Sequence, residues 1–412
     1  MEPERRFERA PVLMTASAMR ERAPAYFAGA SAAIITISIA ASQTLLGVAV
    51  ASLLLDRRKL RWPPVTAPLL AFMLWTMLSV AASPDPVKGF AQIKKFYVYL
   101  MLFAVFSALR TLREVRWVAY GWVMGASLSA LWALWQGYQI YRTTDRFFYF
   151  VYSNGARITG FMGHWMTFSS ITMMALLIAA SLLLFGRDRR DTKYVAGCFV
   201  ILSVGLLAGW QRSFWVGAAV GGGWLLWTKK RGLVLLLPAI AAVLFIANPL
   251  SIRDHLLVLF RPQPGVLNST AHRAALRATG WEMIKAHRIL GIGPEQVEDQ
   301  FEKYAPPEVP HPVPESWSTQ HLHNLYYQYA AERGIPALLA LLWFFGRALY
   351  DFLRARSNVV DGVWMVNGAI ACIIGIMVAG WGEVTLGDSE PLAMFLSIVA
   401  CGYVVIGQPK TR

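Results

Sequence analysis

Charge is scarce in this chain: only 15% of its 412 residues are Asp, Glu, Lys or Arg, against 56% hydrophobic. That scarcity excludes an ordinary soluble domain, which needs more charge to cover its surface. Cysteine is scarcer still. The three present, Cys198, Cys372 and Cys401, all fall inside apolar runs, which excludes a disulfide framework and marks them as packing residues. The first 25 residues hold Arg5, Arg6, Arg9, Arg20 and Arg22 but no compact apolar core with a small-residue cleavage site, so no cleavable signal peptide is expected. Internal repeats and low-complexity tracts are also missing.

What is present is a succession of apolar runs from Tyr26 to Ile406, most long enough to cross a hydrocarbon core of ~30 Å as a helix. Spans are expected near 26–40, 42–55, 64–82, 96–109, 117–140, 162–185, 194–208, 213–228, 233–249, 335–353, 362–382 and 391–407. The fold expected is therefore an all-α polytopic membrane protein of about 12 transmembrane helices. The first pair is the least clear-cut, because residues 26–55 are long for one helix and short for two. Parity decides for two.

Charge distribution orients the spans. If the N-terminus is cytoplasmic, every inside segment is a compact basic cluster: the arginine-rich N-terminal tail, DRRKLR, RTLREVR, GRDRRDTK, KKR, the Arg347–Arg354–Arg356 group and the C-terminal Lys410 and Arg412. This obeys the positive-inside rule and puts both termini in the cytoplasm. The same distribution argues against a nucleic-acid partner despite the net charge of +15. The division expected is membrane helices over 1–249, a large outer loop over 250–334 and membrane helices over 335–412. SPDPVKGFAQIKKF and YRTTDRFFYFVYSNGAR read as smaller outer loops, GEVTLGDSE as a short acidic outer turn, and PPEVPHPVPES as an extended connector.

Basic residues on the outer side run against the orientation rule and so carry information. Arg157, Arg212, Arg273 and Arg277 lie beside expected membrane boundaries or in the large loop. An arginine at membrane depth is costly unless it pairs or reaches water, so it either snorkels to lipid phosphates or faces a cavity as an anion site. Guanidinium groups bind phosphate oxygens bidentately, which suits a phosphate or diphosphate ligand. Lys88, Lys94 and Lys95 read more simply as interfacial anchors, with Lys94 kept as a secondary candidate.

In the outer loop, TAHRAALRATGWEMIKAHRILGIGPEQVEDQFEKYA reads as a helix broken at GIG and followed by a second helix. The GIG glycines suggest a tight turn with exposed backbone N–H groups, but the preceding strand and full Gly-rich pattern of a nucleotide loop are missing. Glu295, Glu298, Asp299 and Glu302 read as a solvated helix face, and no Asp-x-Asp pair occurs in any outer segment, so no metal site is expected. His272, His287 and His311 read as surface residues. His321 and His323 lie where the loop re-enters apolar sequence. Of the two, His323 is the candidate general base, since histidine titrates nearest neutrality. Asn324 could orient it or cap a helix. His321, Tyr326 and Tyr327 complete the secondary candidates.

HNLYYQYAAERG, with His323-Asn324 followed by nine residues and Gly334, resembles the signature of the O-antigen ligase and polymerase superfamily. ARITGFMGHWMTFS resembles its Arg-x-x-Gly-Phe segment, with Arg157 at the arginine. LLAGWQRSFWVGAAVG resembles its small-residue Ser-Arg stretch, with Arg212 at the arginine and Trp-Gln replacing the usual residues before it. HRAALRATGWEMIKAHRILGIG resembles its outer-loop helix, with Arg288 where proline is usual and either Arg273 or Arg277 at the arginine.

The resemblance implies a glycosyltransferase of the polyprenyl-donor, GT-C-like architecture, inverting and independent of metal and cofactor. It implies an active site on the periplasmic side of a bacterial inner membrane. The donor implied is undecaprenyl-diphosphate-linked O-antigen and the acceptor is lipid A–core, with membrane lipids around both. The ligase of lipopolysaccharide fits the layout of spans and loop best. An O-antigen polymerase and a protein O-oligosaccharyltransferase use the same donor, and a lipid-linked sugar flippase or transporter is the rival from another class.

At the head of the tenth span, Gly334 and Pro336 predict a break. A short outer helix from about His323 to Arg333 is expected, then a membrane helix from Ile335, with Glu332 and Arg333 near water.

Overall fold

The computed structural model describes residues 16–56, 60–143, 155–187, 191–257, 269–314, 317 and 319–408. Arg5, Arg6 and Arg9, the centre of DRRKLR, Arg189 and Arg190, most of the loop YRTTDRFFYFVYSNGAR, and Lys410 and Arg412 lie outside the described residues. Among those described there are helices and no strands. All-α is the class observed.

Helices α1 (Ala16–Ile34) and α2 (Ile39–Leu55) are two elements rather than one. Ser38 caps the second through its side chain, and Ser31 and Ser42 exchange hydroxyl-to-carbonyl bonds of 2.7 and 2.8 Å between them. The next helices are α3 (Thr66–Ala81), α4 (Pro86–Lys94), α5 (Phe96–Ala108), α6 (Leu112–Arg142), α7 (Trp165–Phe185), α8 (Thr192–Ala208), α9 (Arg212–Lys229) and α10 (Leu236–Ala247). The outer loop contributes α11 (Ile252–Leu257), α12 (Ser269–Ala286) and α13 (Val297–Tyr304). The chain ends with α14 (Leu325–Ala355), α15 (Val363–Ala379) and α16 (Ser389–Ile406).

A helix therefore lies at each expected span. By length and apolarity alone, five segments can cross a membrane, at Pro86–Ala108, Leu112–Arg142, Trp165–Phe185, Leu325–Asn358 and Ser389–Ile406. A sixth is added if the pair Arg231–Ala247 and Pro249–Leu257, bent by 105°, counts as one. Four apolar helices are shorter: Ile39–Leu55, Thr66–Ala81, Thr192–Ala208 and Val363–Ala379. This is a polytopic membrane architecture.

Helices α7, α15 and α16 form the centre, enclosed by their neighbours along most of their length. Small residues let them approach. A Cβ at Gly217 would stand 2.7 Å from the Gly375 carbonyl, and one at Gly221 2.6 Å from that of Ala371, so α9 and α15 touch backbone to backbone. That contact sets the start of α9, with Arg212, beside the turn joining α15 to α16. The outer segment has its own small core, in which Leu276, Met283, Ile292, Val297, Phe301 and Leu322 pack with Ala330 and Ala331 of α14.

Two expectations are corrected. SPDPVKGFAQIKKF is not a plain loop: Asp85 accepts from the Val87 and Lys88 amides, Pro86 takes the first turn, and α4 follows. The tenth span is indeed interrupted, since Gly334 (φ 82°, ψ 166°) breaks α14, and its first helical residue is Leu325. Yet Glu332 and Arg333 do not face water. They are 4% and 3% exposed, because Arg333 donates to Glu332 and to Gln92 on α4 while Ser79 on α3 donates to the Glu332 carbonyl.

Candidate active site

His323 is held by the end of one helix and the turn between two others. Asn324 caps α14, its side-chain oxygen accepting from the Tyr326 and Tyr327 amides at 3.0 Å each, while its Nδ2 donates to the Trp381 carbonyl at 3.0 Å. The Leu325 amide donates to the Gly380 carbonyl at 2.7 Å and the Tyr326 hydroxyl to that of Met377 at 2.6 Å. These bonds seat the head of α14 on the α15–α16 turn and leave His323 in the left-handed region, at φ 46°. Such a conformation persists only where surrounding contacts over-determine it.

The same turn carries Glu383, 2% exposed. One of its carboxylate oxygens lies 2.9 Å from His323 Nδ1, and the other accepts from an Arg273 guanidinium nitrogen at 2.6 Å. Burial alone would raise the Glu383 pKa, but the hydrogen bond from His323 and the charge of Arg273 more than offset it and hold the carboxyl below its ordinary value. An ionised Glu383 can only accept. His323 therefore carries a proton on Nδ1 toward the carboxylate, and in the neutral ring that tautomer leaves the lone pair on Nε2.

Glu383 was not legible as a functional residue; GEVTLGDSE looked like any acidic outer turn. Its one available signal was a lone glutamate between Gly382 and an apolar run. His272, expected at the surface, is instead 6% exposed, its ring 5.2 Å from that of Trp317 and 6.2 Å from that of His323.

The four arginines divide. Arg273 is bound into the Glu383 pair, whereas Arg277, one turn along α12, is exposed. Arg157 stands over the Trp165 ring at 5.3 Å. With the Gln211 amide oxygen turned toward them, Trp165 Nε1 (2.9 Å) and Arg157 both donate to it. Arg212 opens α9 next to Gln211, and the charges of Arg212 and Arg157 both bear on His255, which lies between the Trp210 and Trp215 rings. Arg157 and Arg212 thus form one cationic group.

His164 links this group to the histidine. It caps α7 through Nδ1, 3.3 Å from the Met166 amide, and feels Asp388, Glu383, Arg157 and His323 together. Burial lowers its pKa, so it is uncharged near neutrality. His323, Glu383, His164 and Trp165 line a common cavity of about 660 Å³, large enough for a substrate of several rings.

His321 is on the cavity wall and exposed. The other secondary candidates are placed elsewhere: Lys94 is exposed with its ammonium 5.4 Å over the Phe90 ring, Tyr326 is tied to Met377, and Tyr327 stands 6.5 Å from Trp281. Lys95 lines the cavity where Lys94 does not.

The GIG turn is structural. Its N–H groups are not exposed: the Ile292 amide donates to the Ala331 carbonyl at 2.8 Å and that of Gly293 to Glu332 at 2.9 Å. A Cβ at Gly291 would sit 2.2 Å from the Glu332 carbonyl carbon, and one at Gly334 would sit 1.9 Å from the Ile289 oxygen. The outer loop is thus docked, backbone against backbone, on the break in α14. Among the described residues no group of three or more His, Cys, Asp or Glu is placed to hold a metal ion.

A carboxylate-bound histidine in a cavity, with a cationic group acting on the neighbouring His164, is an arrangement that can accept a proton near an anion. Residues 197–342 match the family model described as O-antigen ligase. Over this segment, about a third of the chain, the sequence is similar to that family. The matched stretch contains Arg212, Arg273, Arg277, His323, Asn324 and Gly334 and stops short of Glu383. No curated protein matches the sequence.

Proposed function

We propose that the chain is an O-antigen ligase, transferring a glycan from undecaprenyl diphosphate to a sugar hydroxyl of lipid A–core. The observation that carries the reading is His323 bound through Nδ1 to buried Glu383, on the wall of a cavity also lined by His164, on which the charge of Arg157 bears.

The step balances simply. His323 Nε2 takes the proton of the acceptor hydroxyl, and the oxygen attacks the anomeric carbon of the donor. The bond from that carbon to the diphosphate breaks, its electron pair leaving with the diphosphate, whose developing charge falls to Arg157 and Arg212. A single displacement inverts the anomeric centre. Glu383 keeps the imidazole in the required tautomer and balances the charge that His323 gains, while Arg273 balances Glu383. Arg277, exposed on α12, is left for an approaching anionic lipid or substrate.

With this reading go twelve spans in a GT-C-like arrangement, residues 250–334 on the periplasmic side of the inner membrane, and both termini in the cytoplasm. The basic inside clusters support it.

Two variants of the purified protein test the chemistry. His323→Ala should lower turnover by about 10²- to 10⁴-fold, and normal turnover would remove it from the base role. Arg212→Ala should weaken donor binding; unchanged donor affinity would sink the diphosphate assignment. Deletion of the gene separates ligase from polymerase, since loss of all long chains from lipopolysaccharide with lipid-linked polymer accumulating marks a ligase.

A further inference from the structure

The cavity does not end at His323. It continues toward the start of α16 and the tip of α4, where carboxylates outnumber cations on its wall. Glu295, Asp388 and Glu390 line this part, with Lys95 as its lysine and Arg333 already in an ion pair. Glu332 neutralises the Arg333 guanidinium and Gln92 holds it at 3.1 Å.

This wall is built rather than loose. Thr167 donates to Asp388 at 2.6 Å, and Lys95 donates to the Gly387 carbonyl at 3.1 Å. Gln328 and the Glu295 amide donate to Glu332 at 2.9 and 3.0 Å. One group is left over. Thr385, two residues from Glu383 and 4% exposed, lies on the cavity wall with a buried hydroxyl that has no partner among the described residues. A buried hydroxyl without a partner is uncommon, and a ligand hydroxyl is a natural one.

We propose that this end of the cavity is the acceptor subsite, binding an uncharged, polyhydroxylated sugar ring through Thr385 and the carboxylates of Asp388 and Glu390. The proposal rests on His323 acting as base. The acceptor hydroxyl has to reach His323, and Thr385 lies on the same cavity wall, two residues from the Glu383 that holds that ring. Carboxylates accept from sugar hydroxyls and repel a diphosphate. A phosphate-free ring is the acceptor terminus such a wall selects.

The test uses full-length purified protein, undecaprenyl-diphosphate-linked oligosaccharide as donor and lipid A–core as acceptor. Thr385→Val should raise the acceptor KM about fivefold to tenfold while the donor KM stays constant and kcat falls much less. Thr385→Ser should restore the acceptor KM. Glu390→Gln should act in the same direction, which keeps the question open to refutation if Thr385→Val misfolds. A rise in donor KM with acceptor KM unchanged would overturn the proposal by giving this end to the donor glycan, and no change in either would make Thr385 structural. Failure of the base assignment would show separately, as normal turnover in His323→Ala.

Discussion

Glu383 decides how the histidine behaves. Glu383→Gln replaces an obligate acceptor with a group that can also donate to Nδ1, so the tautomer with Nε2 free is no longer enforced. Turnover should fall by at least about tenfold, with about 10⁴-fold as the upper bound, while donor KM changes little; wild-type turnover would leave the carboxylate a purely structural role. Acidity adds a stability test with a definite sign. The folded pKa of Glu383 lies below its ordinary 4.5, so its ionised form contributes stability at higher pH. That contribution is lost as pH falls from 4.5 through the folded value, and thermal unfolding in detergent should show a steeper loss below pH 4.5 for the wild type than for Glu383→Gln. Residues such as His323, Arg157 and Arg212 were legible because each violates a local rule, a titratable ring at a membrane mouth or an arginine on the outer side. Glu383 violates none. A carboxylate in an outer turn is unremarked until the fold puts it 2.9 Å from an imidazole 60 positions earlier.

At the level of helices, punctuation was readable and contact was not. Gly334 and Pro336 announced the break in α14, because glycine is free at positive φ and proline suits a first turn. Burial of the Glu332–Arg333 pair could not be read there, since its partners Ser79 and Gln92 sit more than 200 positions away. Helix α4 was missed although Asp85-Pro86 is a legitimate start signal, because nine residues are too few for a periodic pattern to show. The break itself can be tested. Gly334→Ala forces a side chain into φ 82°, ψ 166° and against the Ile289 carbonyl, so it should lower stability by about 2 to 4 kcal/mol. Measured by thermal unfolding in detergent, a loss below about 0.5 kcal/mol would mean the turn does not need glycine.

Over the whole molecule, the apolar runs located a helix at each of the twelve expected positions, since length and hydropathy are local quantities. Arrangement was beyond them. That α9 lies on α15 depends on Gly217 and Gly221 meeting Gly375 and Ala371, a match between distant segments. Sidedness remains open to experiment by cysteine labelling in a variant lacking Cys198. Val87→Cys, at a position 84% exposed in the first turn of α4, should react with a membrane-impermeant maleimide from the periplasm. Val360→Cys, at a position 59% exposed between α14 and α15, should react only once the inner membrane is opened. Equal labelling of both in intact cells would overturn the orientation. The turn between α15 and α16 has one further consequence. The matched segment closes at residue 342, yet the carboxylate bound to His323 comes 41 positions later, so a chain cut at residue 360 would keep the whole matched segment and lose that carboxylate. Resemblance by motif and possession of the histidine–carboxylate pair are separable in this protein, and a truncated relative could carry the first without the second.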